Sequence, residues 1–215
     1  MPASCCKPDY DAAFDARSAR RQLERYRRSG AQGSTRRLID EVRRAGVDGA
    51  SIIDIGGGIG VIGLELLASG AESLVGVDAS PPYVRVATHE FSRRGLGDRA
   101  SLRHGDFVEV ADAIPDADIV TLVRVVCCYG DWRALVDASV NRARRLYGVV
   151  YPNERWWLRI GIGVGNLMLR LGGQSFRGYV HPEREIDERV RAAGLRVRSH
   201  HRGWIWQTVV YERAG

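Results

Sequence analysis

The feature that most constrains this chain is a glycine cluster placed directly after a short apolar run. Residues 51–63 read Ser-Ile-Ile-Asp-Ile-Gly-Gly-Gly-Ile-Gly-Val-Ile-Gly. Asp54 lies near the end of the apolar run, glycines follow at 56, 57, 58 and 60, and Val61, Leu64 and Leu67 then recur at helical spacing. Strand, tight turn and helix start in that order form the ligand-binding corner of an α/β sheet. Glycine lets the chain turn sharply, lets a ligand reach bare backbone, and lets helix and strand pack closely. Gly58-x-Gly60-x-x-Gly63 fits a dinucleotide pattern, with Asp78 at the distance expected for a ribose contact. Asp54 argues against a dinucleotide: a carboxylate two residues before the first glycine would face the pyrophosphate, and like charges repel. It suits a ligand that carries positive charge and no phosphate. A turn that merely caps a helix is the plain alternative.

The chain has 215 residues, enough for one α/β domain with a sizeable core. No apolar run approaches the length of a membrane span. The first residues, Met-Pro-Ala-Ser-Cys-Cys, lack an apolar signal region, so a cytoplasmic location is expected. The net charge of +6 is carried almost wholly by arginine, Lys7 being the single lysine. Such a bias accompanies a GC-rich coding sequence, so the charge is no argument for nucleic acid, and no nucleic-acid partner is expected. The cysteines form two adjacent pairs, Cys5-Cys6 and Cys127-Cys128. Neither has a zinc spacing, no metal is expected, and a reducing compartment keeps them as thiols.

Along the chain, residues 9–29 read as a basic helix with scattered apolar positions, ended by Gly30, and Ser34 is suited to cap a second helix to about Arg44. Strand two covers 74–77 and ends at Asp78, whose place suits two ribose hydroxyls; Ser80-Pro81 opens a helix to about Arg94. Strand three covers 100–104, followed by Gly105-Asp106-Phe107. Strand four, 119–126, is apolar enough for the centre of a parallel sheet, with Arg124 reaching its carboxyl end near the ligand. Gly130-Asp131 opens a helix to about Arg144, and strand five covers 146–151. Residues 156–171 read as an apolar helix in which Gly161 and Gly165 permit close packing: a lid, an apolar wall for a large flat substrate, or a membrane-surface contact. His181-Pro182-Glu183 begins a helix with Ile186, Val190 and Ala193 on one face, and strands at 195–200 and 204–211 form a hairpin around Gly203 that makes one end strand antiparallel.

The run Asp54-x-Gly56-x-Gly58-x-Gly60, acids after the first three strands and the terminal hairpin together resemble the class I S-adenosylmethionine (SAM)-dependent methyltransferases. Within that family the chain is most similar to the magnesium-protoporphyrin O-methyltransferase group. The similarity rests on the N-terminal helix with Tyr26 and Gly30, the segment Val126-Cys127-Cys128-Tyr129-Gly130, and the stretch from Tyr179 to Glu183. Where the porphyrin enzymes carry His-Tyr-Pro, this chain has Cys128-Tyr129-Gly130.

The resemblance implies an α/β fold: a seven-stranded, mostly parallel, Rossmann-like sheet with a terminal antiparallel hairpin. It implies a single domain over 1–215, with an N-terminal helical lid at 1–48, a SAM-binding core at 49–215 and a lid helix at 155–172. The donor would be held by Asp54, Gly56, Gly58, Gly60, Asp78, Asp106, Phe107 and Arg124, with Asp106 at the adenine amino group and Phe107 beside the ring. Tyr26, Cys128 and His181 are the candidate catalytic residues on the acceptor side. The expected activity is methyl transfer to a small-molecule acceptor, with O-methylation as one form of it. A thiolate-assisted metal or metalloid methyltransferase and a non-catalytic SAM-binding protein are the alternatives. A membrane span is not expected, and surface association stays open.

Overall fold

The computed structural model describes residues 14–214. Helices α1 (Ala16–Ser29) and α2 (Gly33–Arg44) precede β1 (Ser51–Ile55). Then follow α3 (Val61–Leu67), β2 (Ser73–Asp78), α4 (Pro81–Arg93), β3 (Ala100–His104), the single turn α5 (Phe107–Val110) and β4 (Ala117–Val123). The remainder is α6 (Trp132–Val140), β5 (Ala143–Pro152), α7 (Trp156–Leu171), α8 (Glu183–Ala192), β6 (Leu195–Arg202) and β7 (Trp206–Arg213).

The strands form one sheet in the order β3-β2-β1-β4-β5-β7-β6. The first five run parallel, and β7 pairs antiparallel with both β5 and β6. The antiparallel strand is therefore not the end strand expected from the hairpin; it is inserted one place in. After β1 the chain builds outward through β2 and β3, then crosses back to lay β4 on the other side of β1. That reversal opens a crevice at the carboxyl ends of β1 and β4.

Alternate residues of each strand feed opposite faces. Ile52 and Ile119 join Leu38, Leu64 and Phe91 on one side, while Ile53 and Val120 join Trp132, Val136 and Ile186 on the other. Burial on both faces explains why β4 and β5 read as nearly continuous apolar runs.

Several boundaries differ from the sequence reading for identifiable reasons. Strand β4 stops at Val123 because Arg124 adopts φ +61°, the left-handed region, and breaks the extended run; the chain then makes a 3₁₀ turn over Val126–Cys128. Helix α6 ends at Val140, and Arg144 already belongs to β5. Helix α2 begins at Gly33 with Gln32 at its cap, so Ser34 lies in its first turn. Ser80 sits at the cap of α4, but its hydroxyl donates to the Phe14 carbonyl at 2.8 Å. Gly161, Gly163 and Gly165 have open space where a Cβ would stand, so they serve no close packing.

Helix α1 is more deeply engaged than its scattered apolar residues suggest. Ala19, Leu23 and Tyr26 are buried against the sheet side that carries α4. Glu90 of α4 is fully buried and gathers three guanidinium groups: Arg27 from α1, plus Arg93 Nη2 at 2.8 Å and Arg94 Nε at 2.7 Å. Those cations, led by Arg93, hold the Glu90 carboxyl well below the ordinary carboxylate range.

Candidate functional site

A cavity of about 780 Å³ lies over the crevice, walled by the glycine turn, the carboxyl ends of β1, β2 and β4, and residues from Phe14 to Trp206. Three carboxylates stand around it. Asp54, 2% exposed, lies in β1 opposite Thr121 of β4, whose hydroxyl donates to Oδ1 at 2.7 Å. Its other oxygen, Oδ2, is buried without a hydrogen-bond partner among the described residues. Burial pushes the Asp54 carboxyl up to about 7; the Thr121 hydrogen bond opposes this and the charge of Asp78 adds to it. A side chain on Gly57 would stand 2.7 Å from Asp54 Oδ2, so the missing Cβ keeps that oxygen open.

Asp78 ends β2. Its oxygens accept backbone N–H groups from Gly58 and Ser80, each at 2.8 Å, which fixes the carboxylate plane. Burial raises its pKa, offset in part by those two hydrogen bonds. Asp106 caps α5, accepting from the Val108 N–H at 3.0 Å, and the Tyr129 hydroxyl donates to its two oxygens at 2.8 and 2.9 Å. Phe107 is buried beside it and lines the cavity.

Gly56 and Gly58 line the cavity with φ of +60° and +58°, backbone that side chains rarely adopt. Gly60 shares the left-handed conformation but lies outside this wall; a Cβ there would stand 2.4 Å from the Phe91 ring. Its expected donor contact is corrected to a packing role between turn and helix.

Arg124 lines the cavity at the end of β4. Its guanidinium stacks over the Trp206 ring at 4.7 Å and donates to the Ser34 hydroxyl at 3.2 Å, and burial lowers its pKa. Cys127 and Cys128 follow on the cavity wall with sulfurs 3.7 Å apart. The hydrogen bond shared with Cys128, together with burial, pushes the Cys127 thiol up.

Tyr26 also borders the cavity, but its hydroxyl donates to Glu65 Oε1 at 3.1 Å, and burial beside that carboxylate raises its pKa. His181 is not brought to the cavity. It is buried between the rings of Trp132 and Tyr179, its Nε2 is 2.9 Å from the Val126 carbonyl, and burial lowers its pKa. The expectation that it faces the acceptor is corrected: it pins the loop before α8 to the turn after β4. Cys5 and Cys6 lie outside the described residues.

The sequence reading missed Thr121, Gly57 and Trp206. Thr121 carried a signal, a hydroxyl in an otherwise apolar buried strand, where polar atoms need partners. Gly57 stood in the glycine cluster, but its place against Asp54 depends on the turn geometry, and Trp206 carried no signal, since its place depends on where β7 inserts.

The donor set fits a cationic, phosphate-free ligand with a sugar. Asp54 offers a buried carboxylate oxygen with no partner among the described residues, and Asp78 a carboxylate fixed in part by the Gly58 N–H. A negative charge on Asp54 would repel a pyrophosphate.

Residues 52–146 match the family described as "Methyltransferase domain". A curated protein of Methanothermobacter thermautotrophicus, a probable cobalt-precorrin-6B C(15)-methyltransferase (decarboxylating), is 34% identical over 70 residues, which is 33% of this chain and 36% of that protein. The match thus spans about a third of that relative's length. Among solved structures, magnesium protoporphyrin IX methyltransferase (ChlM) from Synechocystis PCC 6803 with bound SAH superposes with a TM-score of 0.69 at 19% identity. That superposition covers 96% of this chain and all (100%) of the other. An O-methyltransferase family protein from Burkholderia thailandensis gives 0.70 at 18% identity, covering 94% of this chain and 61% of its own. These likenesses extend the shared fold beyond the matched segment.

Proposed function

The chain carries a class I methyltransferase domain, whose methyl donor is SAM, and from that premise we propose that the protein methylates a small organic acceptor, with oxygen as the first expectation for the acceptor atom. The observation that carries this reading is the wall formed by Asp54, Asp78, Asp106 and the glycine turn, with one Asp54 oxygen unpartnered among the described residues. In this reading Asp54 faces the donor's ammonium, Asp78 holds the ribose hydroxyls, and Asp106 with Phe107 borders the adenine. Gly56 and Gly58 leave the backbone bare along the donor. Arg124, held by Trp206, closes the side next to the acceptor.

SAM supplies an electrophilic methyl group on a sulfonium, transferred by in-line displacement. The chain's part is to hold the acceptor atom on that axis and exclude water. Tyr26 and Tyr129 donate their protons to Glu65 and Asp106, so neither hydroxyl is set to take a proton from the acceptor. His181 is remote. A carboxylate acceptor, which needs no deprotonation, suits such a wall better than an alcohol. Cys128 and Tyr129 border the acceptor side in this reading. In this reading α1, whose Gln22 and Tyr26 border the cavity, covers one side of it, and α7 lies near the mouth.

Calorimetry with SAM, SAH and NAD tests the donor. Wild type should bind the first two, and Asp78→Ala, which removes hydrogen bonds to a charged group costing about 1.5–3 kcal/mol, should weaken both roughly tenfold or more. Binding of NAD without SAM defeats the reading. Release of SAH over a panel of carboxylic acids and phenols separates an enzyme from a SAM-binding protein.

A second reading rests on the paired thiols of Cys127 and Cys128, which suit a soft metalloid acceptor. Arsenite titration of wild type and Cys128→Ser tests it; no binding by wild type ends it.

A further inference from the structure

The exposed large hydrophobic side chains of the described residues gather on one surface. Trp156, Ile160, Val164, Leu167, Met168 and Leu171 all belong to α7, with Trp156 74% and Leu171 80% exposed. Their spacing puts them on a single stripe of the helix. The opposite side, with Leu158 buried and Ile162 and Leu169 partly so, rests on the molecule. Trp204 extends the stripe sideways: its ring lies 5.7 Å from that of Trp157, and Ile205 beside it is also exposed. The next residue, Trp206, lines the cavity, so the apolar surface borders the mouth of the site.

Along the helix and the loop after it the charges are of one sign. Residues 155–182 contain Arg155, Arg159, Arg170 and Arg177 and not one Asp or Glu. On a helical projection Arg159 and Arg170 flank the same side of the stripe. Arg159 is paired with Glu154, whereas Arg155 and Arg170 make no ion pair among the described residues. No helix among the described residues is long and apolar enough to cross a membrane. An apolar stripe edged by arginines, with tryptophans at one end, matches a helix that lies in the plane of an anionic bilayer surface. A second copy of the chain fits less well. A two-fold contact through this stripe would set its arginines against their own copies without an acid to meet them.

We propose that α7 and the β6–β7 turn dock the protein on anionic lipid surfaces, with the mouth of the cavity at the lipid boundary. This does not depend on the reaction assigned to the cavity. The test is co-sedimentation of the full chain with vesicles of phosphatidylcholine plus phosphatidylglycerol, and with vesicles of phosphatidylcholine alone. Wild type should bind the mixed vesicles at least roughly tenfold more tightly than the neutral ones, and Arg155→Gln/Arg170→Gln should lose roughly tenfold. Ile160→Ser/Leu167→Ser should abolish sedimentation, with circular dichroism and thermal unfolding showing that each variant is folded. No binding to either vesicle, equal binding to both, or a dimer by light scattering that the double-serine variant dissolves without any vesicle binding would overturn the proposal.

Discussion

Asp54 has an environment that is unfavourable until something positive arrives. Its ordinary pKa of 3.8 is raised to about 7 by burial, so between those values the folded chain holds a proton that the unfolded chain releases. The site's contribution to stability is full at the acid end and is lost as pH rises through about 7. Asp54→Asn should therefore make the ligand-free protein more stable than wild type at pH ~8, by on the order of 1–3 kcal/mol, measured by denaturant melts. If Asp54 meets the donor's ammonium as proposed, the same substitution should weaken SAH binding. For wild type, affinity should fall as pH drops from ~8 to ~6, where the carboxylate must first lose its proton; the Asn variant should show a flat profile. A pH-independent wild type would remove Asp54 from the donor's surroundings. Glycines differ just as locally. Gly60→Ala meets both a positive φ and the Phe91 ring, and should cost about 1–3 kcal/mol. Gly161→Ala, in open space on a helix, should gain about 1 kcal/mol. Shifts of opposite sign in the urea midpoint check the pair.

Among the elements, α1 is held by buried Ala19, Leu23 and Tyr26 and by one ion pair, Arg27 to the buried Glu90 of α4. That ion pair ties it to α4, and because Arg93, Arg27 and Arg94 hold the Glu90 pKa far below its ordinary 4.5, their stabilisation is full above 4.5 and is lost as pH falls from there toward the much lower folded value. Glu90→Gln should cost about 1–3 kcal/mol, discounted because the arginines are partly solvated. It should also speed hydrogen exchange across Ala16–Ser29 more than in β1. Unchanged exchange there would show that apolar packing alone holds the helix. That Asp54, Asp78 and Asp106 gather around one cavity was legible in the sequence, because an acid at or just past a strand end has few structural reasons to exist. The place of His181 was not. A His-Pro pair before a helix looks the same whether the ring faces a cavity or, as with His181, the core. The glycines of α7 look like packing glycines until the absence of a neighbour is seen. Strand limits failed where one residue's backbone decided them, as Arg124 does, because no periodicity reports a positive φ.

At the scale of the molecule, the cavity draws its wall from residues spread between Phe14 and Trp206, so a ligand there connects the N-terminal helices, the sheet and the hairpin. Donor at a hundred times its dissociation constant should add about 2.7 kcal/mol and raise the melting temperature by about 5–10 °C. Differential scanning fluorimetry with SAH and NAD checks this, and a rise with NAD alone would reverse the donor assignment. The order of strands has a further consequence for synthesis on the ribosome. Strand β7 emerges after β6 yet lies between β6 and β5. While residues 206–213 are still unmade, β5 presents an open edge and β6 has no neighbour to pair with. The nascent chain must therefore shield that edge from other nascent chains until a late segment is delivered into it. A pause in translation before residue 206 would hold the chain in its most adhesive state, and slow codons there would lower the soluble yield more than slow codons before β1.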